Sequence, residues 1–357
     1  MSILERYIAG NLIRSWFVVL LVLGTVFGLI ALIQELDRSH GGYGVVQVFN
    51  FTLMSLPHQL LDLMPVIALL GTILALAGLD KSNELTIICC SGVPLWKLLK
   101  AIAIPTAGLM ILLWLCLEFV SAPLFQSAQQ LKSSTRNDNP EVLPNGGVWS
   151  KYRNRYIHIG KMRNGKIPGN IDLFRFDDEG ELILAISAHT ARVSPDRRWQ
   201  FMGVRKKALI DGEFQTSHAE QLEIDNLWSQ AELPTLSLSS QSMRLSVLYE
   251  YIAYLKANEQ AHEDYEFTFW QRLTLPVTVA AMILLATPIS ASIGSRRDSN
   301  LGYNMAFGAL IGIFFFLGSQ ITYAVGQLLH VNYLLTTLSP VAAVLLFSAF
   351  MLRRMRW

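Results

Sequence analysis

Charge is scarce in this sequence. Only 16% of its 357 residues are Asp, Glu, Lys or Arg, where a soluble domain carries about 25%, so composition argues against a wholly soluble protein. Nor is one sign in excess. The 29 Lys and Arg stand against 27 Asp and Glu, a formal net charge of +2, which excludes a strongly basic nucleic-acid binder and an acidic disordered chain. Cysteine is sparse too: Cys89, Cys90 and Cys116 are the full set, and none falls in the polar middle of the chain. That region must fold by burying its own apolar faces, without disulfides. Enzyme signatures are also lacking. There is no Gly-x-x-x-x-Gly-Lys-Ser/Thr phosphate loop, no His-Glu-x-x-His pair and no Gly-x-Ser-x-Gly elbow. His262-Glu-Asp has no second His four residues on. The expectation is a chain that is not an enzyme.

What the sequence has in quantity is long apolar runs, with 52% hydrophobic residues and a mean hydropathy of +0.36. The charges are unevenly placed: 36 of the 56 lie between positions 122 and 266. Crossing a bilayer as a helix takes roughly 20 mainly apolar residues, and six stretches qualify: 15–34, 63–79 with a start near 51, 101–117, 273–295, 301–329 and 331–352. The plan is three helices, a polar insert and three helices. The first run is too long for a secretory signal, and Gln34-Glu-Leu-Asp follows it instead of a small-residue cleavage site, so it reads as a retained anchor. Cytoplasmic loops carry the excess of Lys and Arg. With the N-terminus inside, the inner flanks hold Arg6, Arg14, Lys81, Lys97, Lys100, Arg296, Arg297, Arg353, Arg354 and Arg356, and the outer flanks hold only Arg38 and Arg272. Both termini are therefore expected inside and the insert outside.

Within the insert the hydrophobic period falls to two, in Arg155-Tyr-Ile-His-Ile-Gly, Asn170-Ile-Asp-Leu-Phe-Arg-Phe, Glu181-Leu-Ile-Leu-Ala-Ile and Ala219-Glu-Gln-Leu-Glu-Ile. Turn signals at Asn164-Gly, Asp177-Asp-Glu-Gly, Ser194-Pro-Asp and Asp211-Gly separate them. An antiparallel sandwich, a jelly roll and an open barrel all fit this spacing. Over 246–257 the helical period returns, with Leu248, Tyr251, Ile252 and Leu255 on one face. This predicts an amphipathic connector lying on the membrane surface or on the β-domain. The division is then 1–121 for three spans, 122–245 for the all-β domain, 246–266 for the connector and 267–357 for three more spans.

Two features point to sites. The inner loop from Asp80 through Glu84, Leu85, Ile88, Cys89 and Gly92 to Pro94 reads as a short helix over about 80–92. Asp80 or Ser82 is placed to cap it, Glu84 suits its positive end, and Gly92 before Pro94 stops it. Leu85, Ile88 and Cys89 form an apolar face that fits either a cleft on a cytoplasmic partner or the membrane surface. Arg38 and Arg272 stand at the outer ends of spans, against the charge rule. They fit an anionic lipid headgroup through bidentate phosphate pairing, or a role as interfacial anchors. Asp62 and Glu118 lie near span ends, where a proton relay would need more carboxylates.

Several motifs in order resemble the LptF/LptG family of lipopolysaccharide export permeases: Leu4-Glu-Arg-Tyr-Ile, Ser55-Leu-Pro, Met64-Pro, Leu70-Gly, Asn83-Glu-Leu, Ser91-Gly and Glu118-Phe-Val-Ser-Ala-Pro. The stretches 251–265 and 270–276 look like the LptG branch. Near the outer end of span one, where family members can carry a Lys pair, this chain has Leu36-Asp-Arg. The resemblance covers essentially the whole chain. It implies a six-helix inner-membrane subunit of a Gram-negative bacterium with an inserted periplasmic jelly-roll-like domain. This subunit would work with an LptF-like permease, a dimer of the LptB-like ATPase, a single-span LptC-like protein and an LptA-like bridge. ATP and magnesium would belong to the ATPase, and this chain would hold no cofactor or metal and bind no nucleic acid. Glu84 falls at the acidic position of the family's coupling helix, so Glu84, Leu85, Ile88 and Gly92 are candidates for meeting the ATPase. Arg38 and Arg272 are candidates for the headgroup, and Phe27, Leu32, Phe314, Phe315 and Phe316 for the wall of a lipid cavity. The competing classes are an ion-coupled secondary transporter and a non-transporting scaffold for the β-domain.

Overall fold

The computed structural model describes residues 3–37, 44–136, 141–142, 147–152, 154–163, 167–177, 179–194, 198–210, 213–225, 240–258, 260–294, 301–329 and 332–354. The chain divides into two compact units. One comprises Met1–Gln34, Ser55–Ser121 and Glu266–Trp357, and the other Glu35–Met54 and Ala122–Tyr265.

The first unit is helical. It draws on α1 (Ile3–Asp37), α2 (Val45–Lys81), α3 (Glu84–Cys90), α4 (Leu95–Cys116), α7 (Glu263–Gly294), α8 (Leu301–Leu328) and α9 (Tyr333–Arg354). Six of its helices are long and apolar enough to cross a membrane. They outrun the apolar stretches that announce them. The 35 residues of α1 rise about 52 Å at 1.5 Å per residue, well beyond a hydrocarbon core of about 30 Å.

Helices α2 and α7 are the centre of this unit. In their most apolar stretches 67% and 72% of residues are buried, against 17% in α1 and in α8. Leu69 and Ile73 of α2 pack with Met282, Leu285, Ala286 and Ile289 of α7. Helices α1 and α8 dock on α2 through glycines spaced by four: Gly24 and Gly28 lie against Leu60 and Leu56, and Gly308 and Gly312 against Ile73 and Val66. Small residues at this spacing let helix backbones approach in lipid, where apolar side chains gain nothing by leaving the tails.

Backbone meets backbone at Gly71, where a Cβ would come within 2.9 Å of the Trp16 Cα. There the Trp16 indole N–H donates to Thr72 Oγ1 at 3.0 Å, and the Thr72 hydroxyl donates to the Ala68 carbonyl at 2.7 Å. Trp16→Phe keeps most of the packing and removes one bond. We expect a loss of about 1 kcal/mol, read as a lowered thermal midpoint in detergent, with Thr72 still satisfied by Ala68.

The third span differs from its sequence outline. The run Glu118-Phe-Val-Ser-Ala-Pro123 reads as its close, yet the chain stays helical. A π-turn over Leu117–Ser121 leads into α5 (Ala122–Arg136). The turn takes up the register change, and Pro123 sits in the first turn beyond it, where its missing N–H costs least. The first 15 residues of the stretch assigned to the β-domain are therefore this helix.

The second unit holds a seven-stranded antiparallel sheet: β1 (Glu141–Val142), β2 (Val148–Tyr152), β3 (Arg155–Arg163), β4 (Ile167–Phe176), β5 (Leu182–Val193), β6 (Trp199–Ile210) and β7 (Glu213–Ile224). From β3 to β7 each strand pairs with the next, and β1 and β2 share the other edge of β3. Among the sandwich, jelly roll and open barrel that strand spacing admits, the described strands form one sheet in meander order. Its buried face carries Ile157, Ile159, Ile171, Leu173, Ile186, Trp199 and Phe201. Helix α6 (Leu245–Ala257) buries Leu248, Ile252 and Leu255, and its Tyr251 packs on the sheet core. Burial pushes the Tyr251 phenol well above its ordinary range, and the neighbouring Tyr265 and Tyr254 push it the same way.

At the helical margin of this unit, Glu35 of α1, Phe51 of α2 and Lys132 of α5 meet. The Lys132 Nζ lies 2.6 Å from Glu35 Oε1 and 4.6 Å from the Phe51 ring centre. Glu35 is buried. No hydrogen bond of good geometry reaches its Oε1 among the described residues, so the ammonium is that oxygen's charge compensation.

Candidate functional site

The short helix α3 is built by its flanks. The Ser82 hydroxyl donates to the carbonyls of Gly78 and Leu79, closing α2, so it does not cap α3 as its position suggests. Asn83 then turns the chain with φ 59°, a left-handed conformation that Asn tolerates. Its carbonyl accepts the Ile87 N–H and opens α3. Gly92, at φ 75°, supplies the second left-handed residue and ends the segment ahead of α4.

This places the four candidate coupling residues along one short segment, 84–92, with different surroundings. Glu84 accepts a hydrogen bond from the Tyr7 hydroxyl of α1 at 2.7 Å. Leu85 is buried within the unit and Ile88 half-buried, whereas Thr86, Ile87, Cys90 and Gly92 are exposed. Leu85, on the apolar face named from the sequence, is thus turned into its own helical unit. Next to it, Trp96 is exposed and Lys100 lies 3.9 Å from Glu5. Tyr7 could not be foreseen as the partner of Glu84, because 77 positions separate them.

A second polar group gathers on α2 and α7. His58 Nδ1 lies 3.2 Å from Ser121 Oγ in the π-turn, and the Arg272 guanidinium acts electrostatically on both His58 and Asp62. Arg272 is buried. A charge that the sequence places at the outer end of a span is therefore enclosed by protein. Arg38 lies outside the described residues. His58 matches no motif in the sequence, standing among Ser55, Gln59 and Asp62 in an otherwise apolar stretch.

The apolar candidates also separate. Phe27, Phe314 and Phe316 are exposed, and Leu32 is half-buried. Phe315 packs into the α2–α7 core, which makes it a packing residue. On α8 the exposed side chains Leu310, Ile313, Phe314, Leu317 and Ile321 recur at three- and four-residue steps and form one stripe. A comparable face on α1 carries Val18, Leu21, Val22, Val26 and Phe27. In a membrane these stripes meet acyl chains or another apolar helix. Among the described residues no group of His, Cys, Asp or Glu is arranged to hold a metal ion.

The sequence model of the lipopolysaccharide export system permeases LptF/LptG matches residues 6–354. The chain belongs to the LptF/LptG family. It is 26% identical to the lipopolysaccharide export system permease protein LptG of Haemophilus influenzae over 323 residues, 89% of each chain. It is 24% identical to the LptG protein of Escherichia coli K12 over 359 residues, covering 99% of this chain and 98% of the relative.

Proposed function

We propose that the chain is a transmembrane permease subunit of an ATP-driven exporter in the inner membrane of a Gram-negative bacterium. It withdraws lipopolysaccharide from the outer leaflet and passes it to a periplasmic bridge. Both termini lie in the cytoplasm and the β-domain in the periplasm. The match to the permease family across 6–354 carries this reading, and the unpartnered apolar stripes on α1 and α8 support it. Withdrawing several acyl chains from a bilayer costs tens of kcal/mol at about 0.8 kcal/mol per CH₂. A cavity walled by such stripes, including Phe27 and Phe314, offsets most of that cost before the lipid moves. A second, LptF-like permease supplies the other half of the wall.

The sequence has no phosphate loop, so the energy enters from a separate LptB-like ATPase dimer that holds ATP and magnesium. Helix α3 and the turn after it are the part that meets it, through the exposed Thr86, Ile87 and Gly92. Glu84 holds α3 to α1 through Tyr7, so movement of α3 is passed directly to a helix of the cavity wall. The lipid leaves through the β-domain toward an LptC-like and then an LptA-like protein.

The test is Glu84→Ala in the complete complex in proteoliposomes. We expect ATP hydrolysis to continue while lipid release per ATP falls about tenfold, equivalent to about 1.4 kcal/mol of lost coupling. Unchanged release per ATP would remove Glu84 from the coupling path.

A further inference from the structure

The sheet face opposite the core carries chemistry that the export reading leaves unused. Strand pairing sets Trp149, His158, Asp172, Ser187, Arg205 and His218 in one cross-strand row from β2 to β7. A second row, two residues along, holds Tyr156, Phe174, Ala185 and Lys207. Directly paired residues of an antiparallel sheet lie on one side, as do residues two apart on a strand. Both rows therefore share the face away from Ile157, Ile159, Ile171 and Leu173.

The aromatic end of this face is ordered. Trp149 is 56% exposed, yet its ring centre lies 4.6 Å from that of His158 and 6.1 Å from that of Phe174, stacked on the latter at 16°. His158 Nδ1 lies 3.5 Å from Asp172 Oδ2. Across the sheet Ser187, Arg205 and Lys207 are all exposed. The centre of a protein-binding patch is depleted of charge, and here an imidazole–carboxylate pair sits among the rings with two cations beyond it. A pyranose matches that mixture. Its apolar C–H face stacks on an indole, its hydroxyls bond to an acid and an imidazole, and any phosphate or carboxylate it carries is taken by guanidinium and ammonium groups. Strands about 4.8 Å apart repeat these contacts at close to the length of one sugar ring.

We propose that this face of the β-sheet binds an acidic oligosaccharide, with a sugar ring stacked on Trp149, hydroxyls on His158 and Asp172, and phosphate or carboxylate groups on Arg205 and Lys207. The source of the saccharide rests on the export reading: it is the sugar portion of the transported lipopolysaccharide, carried outside the sheet core.

The test measures binding of fully deacylated, phosphorylated lipopolysaccharide saccharide to the full-length chain in lipid nanodiscs by calorimetry. Trp149→Ala is expected to weaken binding at least tenfold, and Trp149→Phe to keep most of the affinity. The pair Arg205→Ala and Lys207→Ala, at exposed positions that leave the fold intact, is expected to abolish the preference for phosphorylated over dephosphorylated saccharide. Absence of binding by the unaltered chain, or unchanged affinity in Trp149→Ala, would overturn the proposal. Lipid A without core sugar serves as the parallel probe. If it binds and the saccharide does not, the saccharide site falls and the export reading stands; if neither lipid A nor intact lipopolysaccharide binds the complete complex in the same nanodiscs, the export reading itself falls. A crosslink from Ser187→Cys to another protein's β-domain, formed equally with and without saccharide, would mark the face as a protein interface and overturn the sugar site.

Discussion

Gly71→Val should prevent stable assembly of the helical unit. A Cβ at position 71 would stand 2.9 Å from the Cα and 3.1 Å from the backbone nitrogen of Trp16, so no side-chain rotation relieves the clash and α1 must move off α2. Overpacking of a core costs typically 1–3 kcal/mol and occasionally more, and a clash against backbone belongs at the upper end. The displacement also breaks the Trp16–Thr72 hydrogen bond, adding about 1 kcal/mol. We expect little folded protein in membranes, and a thermal midpoint far below the unaltered chain for what can be purified. Gly78→Ala on the same helix is the control. Nothing lies within 4 Å of a Cβ there, and Ala improves on Gly in a helix by up to about 1 kcal/mol. Equal midpoints for Gly71→Val and the unaltered chain would refute the close crossing.

Lys132→Ala should destabilise the second unit by about 3–5 kcal/mol, the usual cost of removing one partner from a buried ion pair. The reason is the carboxylate left behind: the Glu35 side chain is only 8% exposed, and Lys132 at 2.6 Å compensates it. Adding Glu35→Ala to Lys132→Ala removes the stranded charge and should recover most of the loss, a coupling that separate, independent effects would not give. Glu35→Gln alone should cost less than Lys132→Ala, because the Lys132 side chain is 21% exposed, keeps some water and retains the Phe51 ring beneath it. Thermal midpoints of the three variants check the order. A double variant no more stable than Lys132→Ala would show that the pair contributes little.

Much of the architecture was legible in one dimension. Six long apolar runs between charged flanks announce six helices because the bilayer interior admits few unpaired charges, and strands β3, β4, β5 and β7 announce themselves through period-two alternation. Strand β6 does not. Its buried residues Trp199 and Phe201 are followed by Val204, out of phase: Gly203 adopts φ 65°, and the buried face changes there without any shift of the pairing register. The helix α5 was hidden for a different reason: its polar, mixed sequence carries no long apolar run.

Sites were harder to read than elements. Glu84 stands out as an acid at the start of a short helix, but its partner Tyr7 is remote in sequence, and Ser82 serves the helix before it. Arg272 stands out as a charge against the topology rule, and packing buries it. Glu35 and Lys132 look like ordinary charges at helix ends until α1, α2 and α5 converge on them.

By itself the sequence determined the number of membrane helices, the place of the inserted sheet domain and the position of the short helix between two spans. Each of these follows from local free energies of transfer and backbone conformation. Only the tertiary structure decided which face of each helix turns inward. A Leu facing lipid and a Leu facing another helix sit in equally apolar surroundings, so hydrophobicity cannot distinguish Phe314 from Phe315. The choice is made by where a glycine lets a neighbouring helix seat against it, with side chains at Gly24, Gly28, Gly308 and Gly312 and with backbone at Gly71, and by where buried charges find their partners.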